Sequence, residues 1–364
     1  MLAQVLAQPE TLRALLARRD EVADVARRFP ARTIWACGHG DSYFAPLAAA
    51  PAFRRFCRRP YVVALAQEFA AYPPDDLDRE TLVVVLSMSG GVGRSVAAAR
   101  VARARGARVL AVTNTPGSPL AEAAHQVLAL GVPESAPFLA GTATYVASVL
   151  AMLLLALFLD AGADGVRSAM HELERAVDAL AEALQRGPMV REAAARASAA
   201  PAWYLLGMEG HVATAHYGAA KLLELADVLS IAQETEEFFH EHHWVVSPSH
   251  QVVLLVHDKA SARRSASAAA HLRELGVPAW WIGPGPAPEG VVHVPLPTVA
   301  TWCAPLPGAV PLQWLAYWLA RAKGLDPDRR THLREHPRYV VSRRYRMNDP
   351  GAVCGGRETK EVYP

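Results

Sequence analysis

Two apolar runs of strand length, 82–86 (LVVVL) and 252–256 (VVLLV), lie 170 residues apart and open a match that continues without a gap. At the same spacing Arg94-Ser95 meets Arg264-Ser265, Arg103 meets Arg273, Gly106 meets Gly276, and 109–112 (VLAV) falls on 279–282 (AWWI). Upstream, 33–38 (TIWACG) corresponds to 203–207 (WYLLG) with a slip of one residue. Each copy reads strand, loop, helix, glycine, strand. The period is too long for a solenoid and points to a duplicated domain. Continuous apolar runs suit strands covered on both faces, and strands separated by helices imply parallel sheets with right-handed crossovers. The pattern places an N-terminal helical segment over 1–29, a first α/β domain over 30–164, linker helices over 165–199, a second α/β domain over 200–325 and a tail over 326–364. The tail has poor periodicity and many turn residues, the features of a closing lid or a packed terminal arm.

A chain of 364 residues with 52% hydrophobic and 20% charged residues can bury two cores and lacks the composition of disorder. Its net charge of +2 gives no electrostatic support to nucleic-acid or anionic-membrane binding. Of 37 basic residues only four are lysines, so Lys221, on a helical pattern, stands out. The four cysteines show no CxxC spacing, which argues against a zinc or disulfide framework and suits a reducing cytosol. The first residues read as an amphipathic helix without the apolar core of a signal peptide, so a cytoplasmic location is expected. One segment, 138–159 from Phe138 to Leu159, is uncharged and long enough to span a bilayer. Gly141, Thr142, Thr144 and Ser148 within it, and the lack of a flanking basic cluster, favour a buried core helix or a subunit-interface helix.

Ligands of doubly wound sheets collect at the carboxyl ends of the strands. After 82–86 comes 87–95 (SMSGGVGRS), where the hydroxyls of Ser87 and Ser89 flank Met88, the amides of Gly90 and Gly91 follow, and a helix carrying Ser95 begins. Hydroxyls, glycine amides and a helix N-terminus make a phosphate cradle that needs no lysine. After the first strand, 37–43 (CGHGDSY) is a second glycine-rich turn with His39, Asp41 and Ser42. Lys221 and Glu224, three apart on a predicted helix, project from one face. That spacing fits a carboxylate base held beside a cation, although by spacing alone an ordinary surface ion pair is the commoner explanation. The run 240–243 (HEHH) lacks the i,i+4 histidine spacing of a helical metal site, so neither a metal nor a cofactor is expected.

Taken in order, 8–10 (QPE), 38–43 (GHGDSY), 67–69 (QEF), 87–90 (SMSG), 113–118 (TNTPGS), 141–145 (GTATY), 219–224 (AAKLLE) and 237–240 (EFFH) resemble the sugar isomerase (SIS) domain family. The resemblance is to the tandem arrangement in the isomerase half of glutamine:fructose-6-phosphate amidotransferase and in stand-alone phosphosugar isomerases, deaminases and deglycases. It implies an α/β fold of two tandem SIS domains, each a flavodoxin-like αβα sandwich. It also implies a sugar phosphate held by Ser42, Ser87, Met88, Ser89 and Gly90, with His39, Asp41 and Thr142 as further substrate contacts. The same resemblance makes Glu224 the residue that moves the C1/C2 proton, Lys221 a sugar contact, and His240 a ring-opening histidine supplied by the neighbouring subunit of a homodimer. Two positions depart from the family: Val92 stands where a phosphate-contacting threonine is common, leaving Ser95 as a substitute, and 329–335 (RRTHLRE) lacks the synthases' carboxyl-terminal lysine. His332 or Arg334 could enter the site there instead. With no glutaminase segment expected ahead of the first helix, the implied chemistry is aldose–ketose isomerisation of an open-chain hexose 6-phosphate or amino-sugar 6-phosphate. Deamination or deglycation is a close variant, and a non-catalytic phosphosugar-binding regulator is the competing class.

Overall fold

The structure, a computed structural model, describes residues 1–133, 140–160, 162–334 and 336–341. Phe138 and the last part of the tail, 342–364, lie outside the described residues.

The first sheet comprises β1 (Thr33–Gly38), β2 (Tyr61–Leu65), β3 (Thr81–Leu86), β4 (Arg108–Thr113) and β5 (Gln126–Ala129), ordered β2-β1-β3-β4-β5. The second comprises β6 (Ala202–Gly207), β7 (Leu229–Glu234), β8 (Gln251–Leu255), β9 (Ala279–Gly283) and β10 (Val292–Pro295). From its other edge it reads β7-β6-β8-β9-β10, the same order one copy later. Every pairing is parallel. This is the flavodoxin-like order, in which the chain reverses direction across the sheet beside the first strand and opens a crevice at the strand ends. The duplication extends to backbone detail. β1 leaves through Gly40 (φ 53°, ψ −129°) into the helix Asp41–Phe56, and β6 leaves through Glu209 (φ 53°, ψ −134°) into the helix Gly210–Ala226. A glutamate in this left-handed conformation costs about 1–2 kcal/mol, which the second copy carries without glycine.

The apolar segment becomes the helix Ala143–Asp160. It has the length and hydropathy to cross a membrane, but it is buried nearly throughout, packed against the helices Gln8–Ala17, Arg19–Arg27 and Asp41–Phe56. A helix apolar on all sides belongs in a core, and this chain supplies the whole partner surface itself. The subunit-interface reading of 138–159 is therefore corrected: no second chain is needed to cover the helix. Its end is tied to the loop before β2, where Asp160 accepts from the amide of Arg58 at 2.8 Å.

The halves meet through helices. Asp41–Phe56 from the first and Pro305–Ala322 from the second both pack on Gly210–Ala226, which runs through the middle of the molecule. Phe44 stacks on His216 across this contact, with ring centroids 5.6 Å apart.

At the start of that central helix His211 is fully buried, and its ring meets His257, just beyond β8, edge to face at 4.8 Å. Among the described residues neither Nδ1 has a hydrogen-bond partner. Burial, helped by the neighbouring His257, lowers the pKa of His211 to about 3 and lowers that of His257 as well. The unfolded chain would protonate these rings near their ordinary 6.5, so between that pH and the folded value the unfolded state binds more protons. Stability should therefore be full above pH ~6.5 and fall as the pH drops below it. Urea denaturation across this range should show the slope, and His211→Gln should remove about 1.4 kcal/mol of pH dependence per pH unit for the proton no longer taken up. An unchanged slope would assign the acid sensitivity elsewhere.

Candidate active site

Lys221 lies at the centre of a cluster of charges. It projects from the helix Gly210–Ala226, its side chain is only 4% exposed, and its Nζ lies 2.9 Å from Asp41 Oδ2 and 2.8 Å from Glu224 Oε2. Burial by itself would lower its pKa, but the two carboxylates outweigh that and hold it above the ordinary lysine range. Asp41 opens the helix that follows β1, so this ion pair joins the two halves of the chain. Arg330, from the segment after the last long helix, reaches the other oxygen of Glu224, with Nη2 to Oε1 at 2.7 Å. The cations are buried, Arg330 at 6% exposure, whereas the Asp41 and Glu224 side chains keep 27% and 30%. The carboxylates are thus the part of the cluster that solvent reaches.

Polar side chains brace this cluster from behind. Tyr217 donates its hydroxyl to the carbonyl of Gly141 at 2.9 Å and accepts from Gln313 at 3.1 Å, and Gln8 donates to Gln313 at 2.6 Å. Tyr145 stacks flat on Tyr217 with centroids 3.7 Å apart, and the Lys221 ammonium lies 5.4 Å from the Tyr217 ring centre. Gly141 is required by close approach, since a Cβ there would come 2.5 Å from Asp41 Oδ2. Thr142, the next residue, is buried, with its hydroxyl 3.5 Å from Gln4.

The serine loop lies at the adjacent strand end. β1 and β3 pair with Cys37 opposite Val85, so the turn bearing His39, Asp41 and Ser42 and the loop 87–91 leave the sheet side by side. Ser87 is buried, and its Oγ has no partner among the described residues. Ser89 and Met88 are exposed. The loop is shaped from behind by Thr113 and Asn114, whose hydroxyl and amide donate to the Met88 carbonyl at 3.1 and 3.0 Å. Gly90 closes it by donating its backbone N–H to the Ser87 carbonyl at 3.0 Å. The helix Gly93–Ala104 then starts from Val92 without a side-chain cap, and Ser95 is buried within its first turn. In the second half the equivalent place is filled. Asp258 accepts from both the amide and the hydroxyl of Ser261 at 2.8 Å, and the helix Lys259–Glu274 starts a full turn earlier than the repeat would place it. An internal carboxylate occupies the helix start that the first half leaves open.

His39 sits at the edge of this region, half-buried, accepting at Nε2 from the amide of Gln67 at 3.1 Å. Burial, with Arg94 nearby, lowers its pKa, in keeping with a neutral ring that accepts. His240 is not drawn into the cluster. Its side chain is 65% exposed, 3.6 Å from Glu236, close in sequence to the exposed Trp244. Of the carboxyl-terminal candidates, His332 is half-buried with both ring nitrogens unpartnered among the described residues, and the Arg334 side chain lies outside what is described. The residue that reaches Glu224 is Arg330, which the reading of the sequence did not single out. Tyr217 was missed too, although it lies four residues before Lys221 and hence on the same helix face.

Removing the ammonium while leaving two carboxylates part-buried around it should be costly. Lys221→Met is expected to destabilise the fold by about 3–5 kcal/mol, and adding Asp41→Asn should recover part of that loss. Thermal melts of the two single variants and the double variant would check it. Additive losses would mean that Asp41 and Lys221 are not coupled.

Residues 29–158 match the family described as SIS domain. Over 346 residues the chain is 29% identical to the glutamine–fructose-6-phosphate aminotransferase [isomerizing] of Pyrobaculum aerophilum, covering 92% of this chain and 56% of that one. The chain spans about half the length of the curated relatives it matches. Among solved structures, the C-terminal domain of glucosamine-fructose-6-phosphate aminotransferase from Francisella tularensis superposes with a TM-score of 0.84 at 18% identity, over 90% of this chain and 97% of that one. The tagatose-6-phosphate ketose/aldose isomerase of Escherichia coli does so with a TM-score of 0.71 at 18% identity, over 90% and 94%. Both are likenesses of fold. Residues 29–158 are accordingly a SIS domain, and the paired five-stranded sheets of the chain have the architecture of SIS domains in tandem.

Proposed function

We propose that this chain is a phosphosugar isomerase acting, as a cytoplasmic homodimer, on an open-chain hexose 6-phosphate or amino-sugar 6-phosphate. The observation that carries the reading is the Glu224 carboxylate, open to solvent yet fixed beside the buried Lys221 ammonium, which also holds Asp41 at the strand ends of the first sheet, where the neighbouring loop bears the buried Ser87 hydroxyl, without a partner among the described residues. In this reading the phosphate sits on the loop 87–91, taking up the Ser87 hydroxyl, Ser89 and the uncapped helix start, with Ser42 at its flank. The sugar chain then runs toward Asp41, Lys221 and Glu224. A Glu224 oxygen removes the proton from the carbon next to the carbonyl, and an enediol forms as a hydroxyl proton passes between the two sugar oxygens. Return of the carbon-bound proton to the neighbouring carbon completes an aldose–ketose exchange. Lys221 favours the charged carboxylate and steadies negative charge developing on the sugar oxygens.

His240 is assigned to ring opening in the pocket of a second copy. Its exposure, with the exposed Trp244 (79%) and Val245 close to it in sequence, supports that placement, because its side chain is open to a neighbouring molecule.

The test is solvent exchange. A panel of sugar 6-phosphates incubated with the protein in deuterated water should show, by NMR, loss of the C1 or C2 proton for the true substrate. Glu224→Gln should keep binding and lower turnover by about a hundredfold or more. Ser89→Ala should weaken binding by roughly 1–2 kcal/mol, the scale of one hydrogen bond to a charged group. Equal turnover in Glu224→Gln would remove the base, and tight binding without any exchange in the unaltered protein would make it a phosphosugar-binding protein instead.

A further inference from the structure

Arg330 has no role in the reading above, yet its placement is specific. It is an arginine at φ 52°, in the left-handed region, with its side chain buried. The segment that presents it is braced at several points. The Arg330 amide donates to the Asp326 carbonyl at 2.7 Å, and its carbonyl accepts from Leu333 at 3.0 Å. Two residues earlier, Asp328 accepts from the amide of Leu2 at 2.8 Å and from the Tyr317 hydroxyl at 2.9 Å. This bracing sets the guanidinium on Glu224 Oε1. Lys221 holds Oε2 from the same helix, so the two carboxylate oxygens are held from two different elements.

We propose that Arg330 is a positioning residue for Glu224: it fixes the plane of the carboxylate and keeps it ionised. This rests on the reading of Glu224 as the proton-moving residue. Among the described residues, charged and titratable groups facing Glu224 include Lys221 and Tyr217 from its own helix, Asp41 from the helix after β1, and Arg330 from the carboxyl-terminal segment. Lys221 divides its charge between Asp41 and Glu224, so it cannot by itself offset both carboxylates. Arg330 balances the cluster at two charges of each sign.

The experiment compares the unaltered protein with Arg330→Met and Arg330→Lys. Glutamate side-chain carboxyl carbons are labelled with 13C, the Glu224 signal is identified by its loss in Glu224→Gln, and its titration is followed by NMR without substrate. In Arg330→Met the midpoint should rise by about one pH unit or more, because an opposite charge at this distance typically lowers a carboxyl pKa by that amount. Arg330→Lys, which retains the charge but not the planar fork, should fall between the two. Where a substrate has been found, the acidic limb of the exchange rate should move with the midpoint while sugar-phosphate affinity stays within about twofold. A merely structural role for the segment would lower rate and stability at every pH and leave the midpoint unmoved. An unmoved midpoint in folded Arg330→Met and Arg330→Lys overturns the proposal. A raised midpoint in a protein that exchanges no sugar proton upholds Arg330 as the partner of Glu224 and overturns the isomerase reading instead.

Discussion

The ammonium of Lys221, lodged between Asp41 and Glu224, is the constraint to which the surrounding structure answers. A buried cation needs carboxylates close by, and here one comes from each half of the chain. That requirement fixes how the helix after β1 sits on the helix after β6, because their contact must bring Asp41 within hydrogen-bonding distance of Lys221. The close approach of Gly141 to Asp41, the stacked Tyr145 and Tyr217, and the Gln8–Gln313–Tyr217 chain of hydrogen bonds all serve that contact. Buried polar networks of this kind add little net stability over well-packed apolar groups, but a missing member leaves an uncompensated charge. The arrangement therefore specifies one geometry more than it strengthens the fold.

The duplicated sheets were legible because strand pairing in a parallel sheet writes itself into the chain as continuous apolar runs, and a repeated fold repeats the runs. The pair Lys221 and Glu224 was legible from helical spacing, and Asp41 from its place after a strand. Other features could not be read this way. The segment 138–159 has the composition of a membrane span, an interface or a core, and the choice depends on whether three other helices turn apolar faces toward it. Arg330 is one of 33 arginines, and its contact with Glu224 depends on a left-handed backbone that no local pattern announces. His240 matched a family spacing, but spacing along the chain does not say what a side chain meets, and in this chain it is exposed with Glu236 beside it.

The two halves share strand order and differ in how each treats the helix start after its third strand. Asp258 closes the second copy with its own carboxylate, hydrogen-bonded to the amide and hydroxyl of Ser261. The first copy has Val92 in the cap position and, among the described residues, no partner for the Ser87 hydroxyl. One helix start is closed by a side chain of its own, and the other starts without one.

That asymmetry bears on where ligand energy goes. An anion arriving at the first copy would supply what the chain omits there, and linkage requires the stabilisation to appear as tighter folding of whatever unfolds when the site is lost. The second copy carries its own carboxylate at the matching helix start, so the same anion would find less to satisfy there, and the packed helices between the halves, with Asp41 and Lys221 among their contacts, would carry the stabilisation from one half to the other.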